Sequence, residues 1–196
     1  MRRLLAFMVI AMAFGLAPAK AQVDDPDFLT GGSPLSKRYQ FFGGGSSSQG
    51  PVQRTTVNVA GNYKPGSILV NTAERRLYFM LGNGQAIRYG IGVGRDGFRW
   101  GGVHRVTAKK EWPSWTPPAQ MLRRRPDLPR HMKGGEDNPL GARAMYLGST
   151  LYRIHGSNEP ETIGQAVSSG CFRMTNADVI DLYNRVQVGA TVIVKN

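Results

Sequence analysis

The sequence predicts a mainly β fold with one or two short helices, and two observations support this prediction. Short runs of apolar and β-branched residues recur between residue 68 and the C-terminus, and runs of this length and composition are typical of β-strands. Glycine-rich turn signals separate several of these runs. The predicted strands are 68–70, 77–80, 86–93, 104–109, 142–147, 152–155 and 190–194.

The first three predicted strands form two successive hairpins. Residues 71–76 join the first strand to the second, and the turn Gly82-Asn83-Gly84 joins the second to the third. Such short, polar, glycine-containing connections are typical of antiparallel neighbours. The order of the strands therefore predicts that the domain begins with an antiparallel meander.

Two segments are predicted to be helical. A short helix is placed within 117–124, and a second begins at Thr175, where the run 175–178 resembles a capping box. The second helix carries a set of apolar residues at helical spacing on one face. They are Val179, Leu182, Tyr183 and Val186.

The N-terminal third of the chain is predicted to lie outside the folded domain. Residues 1–21 have a basic start, an apolar run and the small-x-small end Ala19-Lys20-Ala21, which predict a secretory signal peptide with an apolar run too short for a membrane anchor. Residues 22–65 are predicted to be a flexible, Gly/Ser-rich segment, because so polar a stretch cannot offset its ordering entropy. Residues 66–196 are predicted to be the folded domain.

The chain is strongly basic, with 25 Lys and Arg against 13 Asp and Glu and a formal net charge of +12. Cleavage after the predicted signal removes Arg2, Arg3 and Lys20 and leaves about +9. This charge favours a polyanionic neighbour. Because no nucleic-acid-binding module is recognisable, we expect an acidic envelope polymer or an anionic membrane face, with a merely solubilising surface as an equal alternative.

Cys171 is the only cysteine in the chain. Exported proteins normally keep cysteines in disulfides, so a lone thiol predicts a chemical use. His155 is the side chain best suited to take its proton at neutral pH. Gly170 allows an unusual backbone conformation and close approach of a substrate, and Arg173 adds a charge that favours the thiolate or binds a carboxylate. The alternative, a buried structural cysteine and a core histidine, is disfavoured by the exported context.

No metal or organic cofactor is expected. His104, His131, His155 and Cys171 lie far apart and lack the spacing of metal ligands. The stretch 92–97 matches G-x-G-x-x-G, yet a strand rather than a helix is predicted after it, and no acidic residue lies about twenty positions further on. These glycines therefore predict a tight turn beside a cleft rather than a dinucleotide site.

The segment 111–138 is too long and too aromatic for a simple connection. It contains Trp112, Trp115 and five prolines. Long loops on a rigid sheet often form lids or substrate walls, whereas a structural Ω-like loop packed on its own tryptophans is the alternative. The two interpretations are compatible.

Several blocks of the sequence resemble the L,D-transpeptidase catalytic domain, also called the YkuD domain. These blocks are Ile154-His155-Gly156, the run 168–174 and the helix-to-strand ending 178–194. Further blocks at 89–95, 112–118 and 138–143 are similar to the Gram-negative branch named after ErfK, YbiS, YcfS and YnhG. The resemblance covers about Gly66 to Lys195 and implies a β-sandwich-like catalytic domain. Ser169 stands where the usual motif has a histidine.

The resemblance implies a periplasmic peptidoglycan L,D-transpeptidase. Cys171 would attack a tetrapeptide stem, release D-Ala and form a thioester, which an amine of a second stem would resolve. His155 would act as general base and then as general acid, and backbone N–H groups at Gly170 and Cys171 would form the oxyanion hole. The residues expected to bind substrate or to orient the loop are Gly156, Ser168, Ser169 and Arg173.

Three alternatives remain open at this stage. Water in place of the amine would make the protein an L,D-carboxypeptidase, and a protein amine would anchor an envelope protein to the wall. A noncatalytic peptidoglycan-binding module is the third, although the joint pattern of Cys171, His155 and Gly170 favours catalysis. The expected partners are peptidoglycan stem peptides and no nucleic acid, with no transmembrane helix after signal cleavage.

Overall fold

The structure, a computed structural model, describes residues 52–196, so the predicted signal peptide and most of the predicted flexible segment lie outside the described residues. The described chain forms eleven strands, two α-helices and a 3₁₀ turn at Pro160–Thr162. The helices are α1 Ala119–Arg124 and α2 Asn176–Arg185. The strands are β1 Thr55–Asn58, β2 Ile68–Asn71, β3 Arg76–Gly82, β4 Gln85–Gly90, β5 Val93–Gly94, β6 Gly102–Glu111, β7 Arg143–Leu147, β8 Arg153–His155, β9 Ala166–Ser168, β10 Phe172–Arg173 and β11 Thr191–Lys195.

Nine of these strands form one sheet in the order β1-β4-β3-β2-β11-β6-β7-β8-β10, and β5 and β9 form a small parallel pair. The long strand β6 belongs to both halves of the sheet. Its first residues, 102–105, pair with β11, and its later residues, 106–111, pair with β7 across a register shift between Val106 and Ala108. A strand that changes partners at an irregularity lets a sheet bend.

A single main core joins the two halves of the sheet. Buried side chains from β2, β3 and β4 pack in the same cluster as those from β7, β8 and β10, and α2 contributes its apolar face. The largest fully buried members include Tyr89, Leu77, Met145, Ile154 and Phe172. The prediction of a mainly β, sandwich-like domain with one or two short helices is confirmed, and two are present in the described part of the chain.

The predicted strand 86–93 is interrupted, and the interruption positions the functional site. Strand β4 ends at Gly90, and the N–H and C=O groups of Gly92 then exchange hydrogen bonds of 2.9 Å with the backbone of Arg173. A Cβ at Gly92 would lie 2.9 Å from the carbonyl oxygen of Thr162, closer than side chains normally approach. Gly92 therefore leaves β4 in order to pair with β10.

Residues 55–58 lie inside the segment that the sequence predicts to be flexible, yet they form β1, antiparallel to β4. Threonine and valine in this stretch suit a strand. Arg54, just before β1, also lies 3.4 Å from a carboxylate oxygen of Asp178 and 3.5 Å from one of Asp181 on α2. The folded domain therefore begins before residue 66. Although β1 has little apolar surface, its pairing with β4 and the ion pairs of Arg54 hold it at the edge of the sheet.

Helix α2 begins where the capping pattern predicts. The hydroxyl oxygen of Thr175 accepts a hydrogen bond of 3.1 Å from the N–H of Asp178, which satisfies one of the free donors of the first turn. Val179 and Leu182 are fully buried, and the helix packs against β7. Within residues 52–196, no helix combines the length and apolar character needed to cross a membrane.

Candidate functional site

The pairing of β8 with β10 brings the two candidate catalytic residues to adjacent strands. The strands are parallel, with Phe172 opposite Ile154 and Arg173 opposite His155. Phe172 and Ile154 are buried in the core. Because side chains alternate along a strand, His155 and Cys171, the residue just before β10, point to the opposite face of the sheet.

His155 is held as a neutral imidazole. Its Nδ1 lies 2.6 Å from the carbonyl oxygen of Gly156, and since a carbonyl can only accept, Nδ1 carries the hydrogen. Burial lowers the pKa of His155 to about 3, helped by the charge of Arg173 and opposed by the Gly156 hydrogen bond. At neutral pH the other ring nitrogen, Nε2, therefore carries a lone pair that can accept a proton.

The thiol of Cys171 is half-buried, and its Sγ donates to the carbonyl oxygen of Leu151 over 3.8 Å. Burial raises the pKa of the Cys171 thiol, whereas Arg153, by its charge and hydrogen bonds, and the charge of Arg173 act to lower that pKa. No hydrogen bond within residues 52–196 joins Cys171 to His155. Each side chain instead contacts a backbone carbonyl, Cys171 that of Leu151 and His155 that of Gly156.

Ser168 organises the backbone around Cys171. Its hydroxyl accepts a 3.2 Å hydrogen bond from the N–H of Gly170 and donates a 2.6 Å hydrogen bond to the carbonyl of Cys171. Ser168 is buried, whereas its neighbour Ser169 is half-exposed. The hydroxyl of Ser169 makes no hydrogen bond to any described residue. Of the two serines that the sequence singles out, Ser168 is therefore the one that shapes this loop.

Gly170 is required by the backbone and by its neighbours. Its φ of +106° lies where side chains other than glycine are strained, and a Cβ there would lie 2.5 Å from the ring of Tyr152. Its carbonyl accepts a 2.7 Å hydrogen bond from the indole N–H of Trp100. Trp100 stacks on Tyr152 with ring centroids 4.4 Å apart. No local sequence pattern identifies this pair, because the contact joins segments about fifty residues apart.

The expected oxyanion donors are not equivalent in this state. The N–H of Gly170 is bonded to Ser168, whereas the N–H of Cys171 has no acceptor among residues 52–196. A free backbone donor next to the sulfur is suited to an oxyanion that forms when the sulfur attacks a carbonyl. Of the two expected groups, the geometry thus favours the Cys171 N–H.

Arg173 is engaged within the protein. Its side chain is 10% exposed and forms an ion pair of 2.9 Å with Glu159, and it also lies 3.5 Å from the hydroxyl of Thr162. Both partners belong to the loop that follows β8. Of the two roles expected for Arg173, the geometry supports the one that stabilises this loop.

Close packing requires a glycine at position 156, and access to an open cleft is not the reason. A Cβ at this position would collide with the side-chain oxygen of Asn176 at the start of α2. That oxygen accepts a 2.9 Å hydrogen bond from the N–H of Ala142, and the N–H of Gly156 donates to the carbonyl of Arg143 over 3.0 Å. These contacts fix the carbonyl of Gly156, which in turn holds the ring of His155.

The loop 111–138 packs on itself beside the site. Trp115 is buried and exchanges backbone hydrogen bonds of 2.8 and 2.7 Å with Met132. Near the end of the loop, the carbonyl of Asp137 accepts a 3.2 Å hydrogen bond from the side chain of Asn158, three residues after His155. The loop has the internal contacts of a structural Ω-like loop and lies next to the His155 strand, so it also borders the site.

Neither a metal cluster nor a dinucleotide fingerprint is found in the described part of the chain. No group of three His, Cys, Asp or Glu side chains comes together there to hold a metal ion. The G-x-G-x-x-G stretch leads through β5 and a turn into β6. A strand, and not the helix N-terminus that binds the phosphates in dinucleotide sites, follows these glycines.

Comparison with known proteins agrees with the resemblance seen in the sequence. The family model of the L,D-transpeptidase catalytic domain, YkuD, matches residues 65–194. The probable L,D-transpeptidase ErfK/SrfK of Escherichia coli K12 is 40% identical over 134 residues, which cover 64% of this chain and 42% of that protein. The chain thus spans less than half the length of this relative.

Two solved structures have similar folds. One, described as a probable carnitine operon oxidoreductase CaiA from Brucella melitensis, is 43% identical with a TM-score of 0.51 and covers 73% of this chain and 93% of its own. The other, an L,D-transpeptidase from Mycobacterium smegmatis, is 16% identical with a TM-score of 0.53 and covers 66% of this chain and 58% of its own. At this low identity, the second comparison concerns the fold alone.

Proposed function

Because this chain belongs to the L,D-transpeptidase catalytic domain (YkuD) family, we propose that it is a periplasmic peptidoglycan L,D-transpeptidase with Cys171 as its nucleophile. The observation that carries this proposal is the state of His155. Its Nδ1 is held by the carbonyl of Gly156 and its pKa is lowered to about 3, which leaves Nε2 as a base on the strand beside the thiol. A nucleophile, an adjacent base and a group that orients the base are the parts that acyl transfer requires.

The first half of the proposed reaction forms a thioester. The Cys171 sulfur attacks the carbonyl carbon of the third residue of a tetrapeptide stem while His155 Nε2 takes the thiol proton. The oxyanion of the tetrahedral intermediate accepts a hydrogen bond from the Cys171 N–H. When the intermediate collapses, the C–N bond to D-Ala breaks, His155 gives its proton to the leaving amine, and the stem remains bound to sulfur.

The second half transfers the stem to an acceptor. An amine of a second stem attacks the thioester carbonyl and loses a proton to His155, which then protonates the departing sulfur. The products are a 3-3 cross-link and the original thiol, so protons and electrons balance over the cycle. An amine of an envelope protein in place of the second stem would anchor that protein to the wall, and water would give an L,D-carboxypeptidase.

The protonation states favour proton transfer during attack rather than before it. Burial raises the pKa of the Cys171 thiol and lowers the pKa of His155, so that a thiolate–imidazolium pair does not form spontaneously. The cationic Arg153 and Arg173 oppose the effect of burial on the thiol and stabilise negative charge as it develops on sulfur. Transfer of the thiol proton to His155 in step with attack avoids a separate thiolate–imidazolium pair before the carbonyl is bound.

The test uses a soluble disaccharide tetrapeptide and intact-mass spectrometry. We expect an adduct of the mass of the donor minus D-Ala on Cys171, followed by a cross-linked dimer, and a second adduct after incubation with a carbapenem. Cys171→Ser should fold normally and form neither adduct, and His155→Ala should lose several orders of magnitude in acylation rate. Adduct formation by Cys171→Ser would overturn the proposal, and a tripeptide product without dimer would identify water as the acceptor.

A further inference from the structure

Arg153 is a second guanidinium at the site, and no motif in the sequence marks it. It begins β8 and lies opposite Tyr146 of β7. Its Cζ is 5.4 Å from the centroid of the Tyr146 ring, which is a cation–π contact. The side chain is half-buried, and its Nε is buried without a hydrogen-bond partner in the described part of the chain. The guanidinium is therefore held between the Tyr146 ring and the Cys171 thiol, to which Arg153 also hydrogen-bonds, and its Nε donor is unused.

Arg153 also differs from the other arginines of this region in its charge balance. Arg173 is neutralised by Glu159, and Arg143 lies 3.1 Å from Glu111. Among residues 52–196, no carboxylate lies within ion-pair distance of Arg153. A half-buried guanidinium without a carboxylate partner in the protein is available to a carboxylate of a ligand.

The position of Arg153 relative to the sulfur restricts which carboxylate can bind. Since Phe172 is opposite Ile154, Arg153 is level with Cys171 on the neighbouring strand, at the inter-strand spacing of about 4.8 Å. The leaving group of the proposed reaction is D-Ala, whose carboxylate is separated from the scissile carbonyl carbon by one nitrogen and one Cα. When the carbonyl is at the sulfur, this carboxylate is within reach of Arg153.

We propose that Arg153, packed against Tyr146, binds the terminal carboxylate of the donor stem and selects donors in which the scissile bond is the last peptide bond. The inference rests on the proposed function and adds the residue that recognises the terminal carboxylate of the donor stem. A planar guanidinium with parallel N–H groups matches a carboxylate in two hydrogen bonds. An additional residue at the donor end moves the carboxylate by about 3.5 Å, beyond this bidentate geometry.

A second role for Arg153 makes a different prediction. If its charge acts only on the thiolate, every donor benefits equally, and changing the donor end leaves the effect of Arg153 unchanged. If it binds the terminal carboxylate, the benefit disappears when the donor ends in an amide. The ratio of acylation efficiencies for the acid and the amide donor therefore separates the two roles.

The experiment compares two donors that differ only in a terminal D-Ala carboxylate or D-Ala amide. The full chain after signal cleavage is acylated by each donor, and kcat/KM for acylation is measured by rapid quench and intact mass. We expect the wild type to prefer the acid at least ten-fold, Arg153→Met to bring the ratio to within about two-fold of unity, and Arg153→Lys to restore part of it.

Lys110 provides a matched control. Its Nζ lies 5.9 Å from the centroid of the same Tyr146 ring, but it belongs to β6, two strands away from β8. Lys110→Met removes the same charge from the same face, and we expect the wild-type acid-to-amide ratio to persist.

Three results would overturn the inference. The first is equal acylation of both donors by the wild type. The second is an Arg153→Met variant that is slower with both donors by the same factor, so that the acid-to-amide ratio is unchanged. The third is a Lys110→Met variant that loses the acid-to-amide preference as Arg153→Met does. The wild-type comparison holds even if Arg153→Met does not fold. If neither donor acylates wild-type Cys171, the proposed function itself fails, which is distinct from acylation without discrimination.

Discussion

Two adjacent serines precede the nucleophile candidate, and their environments differ. Ser168 is buried and hydrogen-bonds to both Gly170 and Cys171, while Ser169 is half-exposed. Ser169 occupies the position of the histidine in the usual family motif, so the motif alone would assign it the larger role. The hydrogen bonds instead assign the loop geometry to Ser168.

This difference predicts unequal effects of two matched substitutions. Ser168→Ala removes two hydrogen bonds, one buried and one partly buried, so we expect the free energy of unfolding to fall by about 2 kcal/mol and acylation to slow at least ten-fold. Ser169→Ala removes an unpaired hydroxyl and should change stability by less than about 0.5 kcal/mol. Urea denaturation and carbapenem acylation rates measure both. If Ser169→Ala lost more stability and acylation rate than Ser168→Ala, then Ser169 and not Ser168 would be the residue that orients the loop.

At the scale of elements, the nucleophile loop is held between strands and an aromatic cluster. β10 is only two residues long and pairs with β8 on one side and Gly92 on the other. A strand so short does not position a side chain by itself. The segment before β6 supplies the missing contact, since Trp100 hydrogen-bonds to the carbonyl of Gly170.

We predict that Trp100→Phe slows acylation several-fold. The phenyl ring preserves the stacking on Tyr152, but the hydrogen bond to Gly170 is lost, at a cost of about 1 kcal/mol. Trp112→Phe is the control, because Trp112 is 43% exposed and lies in the loop after β6. Carbapenem acylation followed by intact mass measures both variants. Equal rates for the wild type and Trp100→Phe would show that stacking alone holds the loop.

At the scale of the whole molecule, folding buries a titratable ring that the unfolded chain exposes to water. His155 is 4% exposed, and burial lowers its pKa from 6.5 to about 3. Its charged neighbours are Arg173 on β10 and Arg153 on β8, which disfavour the charged ring, and Glu159 in the loop after β8, which is paired with Arg173. The folded state therefore excludes a proton that the unfolded chain binds.

The sign of the resulting pH dependence follows from linkage. Between pH 6.5 and about 3, the unfolded chain binds a proton at His155 that the folded chain does not. The free energy of unfolding should therefore decrease as the pH is lowered through this window, by up to about 1.4 kcal/mol per pH unit from this group. At pH values above the window, the contribution of His155 is constant. Burial raises the pKa values of Glu159 and Asp178, which act in the opposite direction.

The measurement compares urea unfolding of the wild type and His155→Asn from about pH 7.5 to pH 4. The variant has no titrating ring, while Glu159 and Asp178 remain in both proteins and cancel in the difference. We expect the difference in unfolding free energy to change in favour of the variant as the pH falls below 6.5. Parallel curves would show that His155 is not held neutral by burial.

Local patterns in the sequence predict much of the fold. The first two hairpins form where the turn signals lie, and α2 begins at its Thr175 cap. These features depend on residues close together in the chain. β1 and β10 are not predicted, because neither has a strong pattern of its own and each exists through pairing with a partner far away in sequence.

The sequence by itself determined the mainly β class, the capped helix, the family resemblance and the two candidate residues Cys171 and His155, because residue type and short spacing carry that information. Only the tertiary structure decided that Arg173 is paired with Glu159, that Ser168 rather than Ser169 shapes the loop, and that Arg153 lies beside the thiol with no carboxylate partner among residues 52–196. The protonation of Cys171 and His155 also depends on the tertiary structure. Burial and neighbouring charge set the pKa values of Cys171 and His155, and both arise from segments that meet only when the chain folds.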